Sequence, residues 1–184
     1  MVTTQHMTLE EYPALPEEKP YLEYVCGEVV QKIAAQRSHA AIVAEFLAAL
    51  RDYQRGGAAG FSGPRTSILF DDPVDRRVLI PDAAYWAPGK PVGGELMSAA
   101  TLAIEVRSPG QSMPSLREKC RYYRRHDVDV CWLVDPAAQA VEVFEGGRVG
   151  ELLPPDATLT SPHLPGFNLP LADLFASLEH PEND

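Results

Sequence analysis

Three residues of this 184-residue chain have the types and order that phosphodiester chemistry uses. Asp82 follows Pro81, Glu105 sits inside the apolar run Thr101-Leu-Ala-Ile-Glu-Val-Arg107, and Lys119 follows on a segment that opens near Ser115. A carboxylate on a strand that otherwise reads as buried is costly unless it is paired or binds a cation. Two such acids followed by a lysine suit a hard divalent cation held by oxygen ligands, with an ammonium beside it to stabilise charge on a reacting phosphate. The same acids would serve equally in structural ion pairs, Glu105 with Arg107 or Asp82 with another arginine. Lys119 would need no partner if it only snorkelled its charge to solvent.

Two further residues have weaker claims. Glu23 lies among apolar and aromatic neighbours in Tyr21-Leu-Glu-Tyr-Val25; it would add a third acid if its strand reached the site, although strand glutamates usually face water. His39, in the first turn of a helix, either hydrogen-bonds to the site or a phosphate, or is a capping or core histidine. Of the sixteen Lys and Arg, Arg107, Arg117, Lys119, Arg121, Arg124 and Arg125 fall in one stretch whose only acid is Glu118. On a chain of net charge -10 such a strip permits a confined phosphate contact while discouraging nonspecific coating of DNA. The plain alternative is a solvated helix face.

These residues need elements to position them. Ile42, Val43, Phe46, Leu47 and Leu50 follow helical spacing from Ser38 to about Tyr53, and Gly56-Gly57 supplies a stop. Tyr21–Val25 and Glu28–Ile33 flank Cys26-Gly27 as a hairpin with Gly27 at a positive-φ turn position. Strands are expected near 59–62, 66–70, 78–86, 102–106, 130–134 and 141–144, with the acidic turn Asp71-Asp72-Pro73 joining the second to the third. On 78–86 alternation groups Asp82 with Ile80, Ala84 and Trp86. On 101–107 Glu105 shares a face with Thr101, Ala103 and Arg107, so neighbouring strands would set Asp82 opposite Glu105. In a second helix, 115–126, Leu116, Cys120 and Tyr123 point inward, Lys119 borders them, and Arg117, Arg121, Arg124 and Arg125 take another face. Thr8–Tyr12 reads as a short capped helix closed by Glu11 and broken by Pro13, Pro16 and Pro20. Leu164–Pro170 reads as an irregular tail before a short helix near 171–178.

At this length the chain suits one domain, residues 1–184, with an N-terminal hairpin (about 21–33), a core (about 38–145) and a C-terminal tail (about 150–184). Hydrophobic residues at 45% and charged residues at 23% are ordinary for a globular protein, and alternating helices and strands without repeats imply an α/β fold with a mixed sheet. Three cysteines with neither paired spacing nor histidine partners suggest neither a zinc site nor a disulfide framework, which fits a reducing cytoplasm. The first residues lack a signal-peptide core, and no stretch has the apolar length of a membrane span.

The ordered set Glu23…Gly27-Glu28-Val29, His39, Pro81-Asp82, Ile104-Glu-Val-Arg-Ser-Pro109, Lys119…Tyr123, Trp132-Leu-Val-Asp-Pro136 and Leu164-Pro-Gly-Phe167 resembles the Uma family of restriction endonucleases, within the PD-(D/E)XK nuclease superfamily. The resemblance runs from about Thr8 to Phe175. It implies a restriction-endonuclease-like core, a central mixed sheet flanked by helices, and Mg²⁺-dependent DNA cleavage with Mn²⁺ as a substitute. Asp82 and Glu105 match the metal-binding acids, with the Val106 carbonyl as a further ligand. The usual superfamily lysine, two residues after the second acid, is here Arg107, and Lys119 on the following helix takes its place. Arg107 competes for the electrostatic role, although its high pKa makes it a poor proton acceptor. The expected protein is a metal-dependent endodeoxyribonuclease that binds DNA through His39, Arg107, Arg117, Arg121 and Arg124 and works as a homodimer, one site per strand. Competing expectations are a noncatalytic DNA-binding or protein-interaction module on the same fold, and hydrolysis of a smaller phosphoester.

Overall fold

The structure, a computed structural model, describes residues 5–9, 11–12, 15, 21–31, 37–91, 94 and 96–178. The chain begins β1 (Gln5–His6), β2 (Leu22–Val25), β3 (Glu28–Gln31), α1 (Arg37–Arg55), β4 (Phe61–Pro64), β5 (Ile68–Phe70), β6 (Arg77–Leu79) and β7 (Ala83–Trp86). It continues β8 (Leu102–Val106), α2 (Met113–Arg125), β9 (Val130–Asp135), β10 (Ala140–Glu145), β11 (Arg148–Leu152), β12 (Thr158–Ser161), β13 (Leu164–Pro170) and α3 (Leu171–Ala176).

The central sheet has the order β11-β10-β9-β8-β7-β4. It is mixed: β8 and β9 run parallel, and the other neighbours are antiparallel. A parallel pair requires a crossover, and α2 is that crossover. β8 and β9 are buried on both faces, as their nearly unbroken apolar sequences require. Ile104, Val106, Trp132 and Val134 face Ile42, Phe46 and Leu50 of α1, whereas Ala103, Cys131 and Leu133 face Leu116, Cys120 and Tyr123 of α2. The two helices therefore flank the sheet, and alternation along β8 turns Glu105 toward α2.

A second sheet, β1-β3-β2-β6-β5, is antiparallel throughout. The turn between β2 and β3 holds Cys26 at φ +49° and Gly27 at φ +89°, the left-handed pair that a two-residue hairpin turn demands.

Three expectations differ from the fold. The single strand over 78–86 is two: β6 belongs to the small sheet and β7 to the central one, and Ile80-Pro81-Asp82 crosses between them. Pro81 has no N–H to offer a ladder, yet burial continues without a gap from β6 to β7, so no exposed residue marks the crossing. Asp82 consequently sits at a bend before β7 rather than inside a strand. The tail over 164–170 is β13, paired with β12; Pro165, Gly166 and Pro170 disguise a strand whose only partner lies on one side. Thr8 and Glu11 form the expected capping contact, the Thr8 N–H and hydroxyl donating to Glu11 at 2.8 and 3.1 Å, but among the described residues Leu9 and Glu11 are turn and Tyr12 is 3₁₀ rather than α-helix. Pro13, Pro16, Pro20 and the hairpin end at Lys32-Ile33 lie outside the described residues.

Candidate active site

The register ends where Ala83 pairs with Ile104, and Asp82 and Glu105 each stand next to that pair on neighbouring strands. The Asp82 N–H donates to the Ile104 carbonyl at 2.9 Å, one residue out of the β7–β8 register, so the regular ladder ends at Ala83. Asp82 Oδ2 accepts the Val106 N–H at 2.9 Å and lies 3.1 Å from His39 Nε2. Both acids are buried, Asp82 at 3% exposure and Glu105 at 2%.

Lys119 meets these acids from α2. Its Nζ lies 2.9 Å from Glu105 Oε1 and 2.6 Å from Glu23 Oε1, joining an acid of the central sheet to an acid of the small one. Glu23 Oε1 also accepts the Ile80 N–H at 2.9 Å, which ties β2 to the crossing segment. Tyr123, one helical turn beyond Lys119, donates its hydroxyl to Glu105 Oε1 at 2.8 Å. Burial opposes the Lys119 charge, but Glu105 and then Glu23 more than offset it and hold its pKa above the usual lysine value. Burial pushes the Tyr123 phenol well up, with Glu105 adding to it, so it stays a neutral donor.

Asp82, Glu105, Lys119, Glu23 and His39 are thus brought together from β2, α1, the β6–β7 crossing, β8 and α2. His39 is neither a cap nor a purely apolar-core residue: its Nε2 contacts Asp82, while its buried Nδ1 has no hydrogen-bond partner among the described residues. The expected arginine strip is more heavily engaged than its sequence suggests. Arg117 Nη2 lies 2.6 Å from Glu142, a strand acid that the chain order does not reveal as its partner. Arg107 pairs with Asp135 at 2.6 Å and donates to the Gln111 carbonyl at 3.1 Å, while Arg124 donates to the Val128 carbonyl. Arg121 and Arg125 share Glu118 at 3.4 and 3.0 Å on the exposed face. Sequence reasoning assigned Tyr123 only to the packed stripe; the signal was its phenol, which needs a polar partner when buried.

Among the described residues no group of three or more His, Cys, Asp or Glu side chains is arranged as a metal cage. Mg²⁺ rarely uses such cages; it binds through one or two carboxylates and keeps several waters. Two buried carboxylates flanking the Ala83–Ile104 pair, one of them held by a histidine Nε2, are chemically suited to such an ion.

No curated protein matches this sequence. The Uma2 family, described as "putative restriction endonuclease", matches residues 9–172, nearly the whole chain. The chain belongs to the Uma2 family. Its fold is also that of a crystal structure described as a putative nuclease belonging to DUF820 from Anabaena variabilis, at TM-score 0.82 and 26% identity, covering 94% of this chain and 99% of that one. Family and fold together are those of nucleases, and the Uma2 match spans every residue of the acid–lysine cluster. Among the described residues no helix is long and apolar enough to cross a membrane.

Proposed function

We propose that this Uma2 member is a divalent-metal-dependent endodeoxyribonuclease. The observation that carries the reading is the buried constellation in which Asp82 and Glu105 flank the Ala83–Ile104 pair and Lys119 joins Glu105 to Glu23. Asp82, Glu105 and the Val106 carbonyl would hold Mg²⁺ or Mn²⁺. When bound, the ion would lower the pKa of water and neutralise charge on the phosphate. Lys119 contributes a fixed positive charge that orients the attacking water and stabilises the developing oxyanion. Because its pKa is raised, it does so as a donor and not as a base. Glu23 fixes the lysine, Tyr123 fixes the Glu105 carboxylate, and His39 fixes Asp82. DNA contacts are assigned to His39, Arg107, Arg117, Arg121 and Arg124. Arg121 is the readiest of these, since an exposed pairing with Glu118 contributes little and is easily exchanged for phosphate.

A homodimer in the cytoplasm completes the proposal, because paired sites would address both strands and the described cysteines are free thiols. Sedimentation at micromolar concentration, with and without DNA, should show the dimer; monomer in both conditions would remove that element. The central test is nicking and linearisation of plasmid DNA with Mg²⁺ or Mn²⁺, its loss with chelator, and its absence in Asp82→Asn. That substitution is nearly isosteric and can still accept the Val106 N–H, so circular dichroism should be unchanged. Full metal-dependent cleavage by pure Asp82→Asn would refute the mechanism. An inactive wild type that still binds DNA would favour the noncatalytic module, for which the extensive pairing of the arginine strip is the supporting observation.

A further inference from the structure

Arg65 is joined to Asp82 through the backbone and has no side-chain contact with the acid–lysine cluster. It directly follows β4, whose last residue, Pro64, pairs with Ala83 beside Asp82. Its N–H donates to the Asp82 carbonyl at 3.3 Å, so its backbone is anchored to that of the acid. The residue is exposed, and its φ of +48° lies in the left-handed region that glycine or asparagine would occupy at little cost. Its guanidinium carbon lies 5.4 Å from the ring centroid of Tyr21, two residues before Glu23. Arg65 therefore reaches from the end of β4 in the central sheet to the residue that precedes β2 of the small one.

What the guanidinium lacks is as informative as what it touches. Arg107, Arg117, Arg121 and Arg125 each hold a carboxylate. Among the described residues the Arg65 side chain has neither an ion pair nor a hydrogen bond, only the Tyr21 ring. An aromatic face steadies a guanidinium while leaving its planar set of N–H donors for an acceptor of matching geometry, and phosphate is such an acceptor. On a chain of net charge -10, which repels a polyanion as a whole, a braced and exposed arginine whose backbone is bonded to Asp82 has a specific use. Backbone strain at an exposed, uncommitted side chain is also where function tends to keep an unfavourable conformation.

We infer that Arg65, braced by Tyr21, is a substrate-binding residue that grips a backbone phosphate of the nucleic-acid strand entering the Asp82–Glu105 site. The inference rests on the nuclease reading and adds to it a contact outside the expected arginine strip.

The test is binding of a fluorescein-labelled oligonucleotide duplex by anisotropy, in EDTA and in Ca²⁺, across 50–200 mM KCl. Arg65→Gly removes the guanidinium and suits the left-handed backbone, so it should melt no lower than wild type. It should bind on the order of tenfold more weakly, and the slope of log affinity against log salt should flatten by about one, as expected for one lost phosphate contact. Arg65→Lys, which keeps the charge, should restore the slope. Arg65→Gly with wild-type affinity and slope would overturn this inference and leave the acid–lysine chemistry standing. A wild-type chain that binds no duplex in either condition would sink the nuclease reading and this inference with it.

Discussion

Lys119 carries three burdens at once: it neutralises Glu105, it neutralises Glu23, and it supplies the positive charge proposed for the reaction. Lys119→Ala should therefore cost turnover and stability together. Removing a preorganised charge should lower the cleavage rate by roughly a hundredfold or more. Breaking the buried pairings should lower the unfolding free energy by about 3–5 kcal/mol, read by denaturant titration, so rates must be compared well below the variant's transition. The sign of the pH effect follows from the raised folded-state pKa. Stabilisation by Lys119 is fully present below the unfolded lysine value of about 10.4 and is lost only as pH rises through the higher folded value. The pH–rate profile should accordingly show no alkaline limb from this lysine up to about pH 10. A limb near neutrality that disappears in Lys119→Ala would contradict the assignment. Asp82 and Glu105 are legible because each is a carboxylate inside an apolar stretch, and Lys119 because it borders the inward stripe of its helix. Glu23 was only suggestive, since the partner that explains it is 96 residues away. Arg65 left no sequence signal, because neither a left-handed φ nor a ring contact with Tyr21 is encoded by local pattern.

The elements that hold the site were read with uneven success, for physical reasons. Both long helices have unambiguous apolar stripes, and β8 and β9 have nearly continuous apolar runs, so the central layer was visible. The break between β6 and β7 was not, because Ile80 and Asp82 are as buried as the strands they join and periodicity carries no signal where both faces are covered. That hidden crossing has a function: it delivers Asp82 at a bend, where its backbone N–H bonds to Ile104 and its carboxylate reaches Val106 and His39. The approach to β4 is equally constrained. Gly60 has φ +134°, and a Cβ there would lie 2.4 Å from the Trp86 carbonyl and 2.8 Å from the Tyr85 ring. Gly60→Ala should thus push β4 away from β7 and destabilise the fold by about 1–3 kcal/mol, measured by the denaturation midpoint at constant slope. An unchanged midpoint would mean that β4 is not held against β7 as described. The β12–β13 hairpin escaped notice because its prolines and glycine mimic a loop, whereas a two-stranded sheet leaves backbone groups unpaired that proline can occupy.

At the scale of the whole molecule, the cluster belongs to no single layer. Glu23 comes from the small sheet, Glu105 from the central one and Lys119 from the helix between β8 and β9, so the constellation exists only when the two sheets have docked. Contacts of such sequence separation close late, because loop-closure entropy must be overcome before they form. Trp86 and Trp132, both buried, report formation of the central layer. After dilution from denaturant, cleavage competence should appear no earlier than their slowest fluorescence phase; competence that precedes it would show that the site assembles without docking. The 96-residue span between Glu23 and Lys119 also bears on how a cell survives making this chain. A polypeptide still on the ribosome carries Glu23, His39 and Asp82 well before the lysine that joins Glu23 to Glu105 has emerged. N-terminal fragments ending before Lys119 should therefore be inert toward DNA and tolerated on expression, with toxicity confined to chains long enough to finish the site.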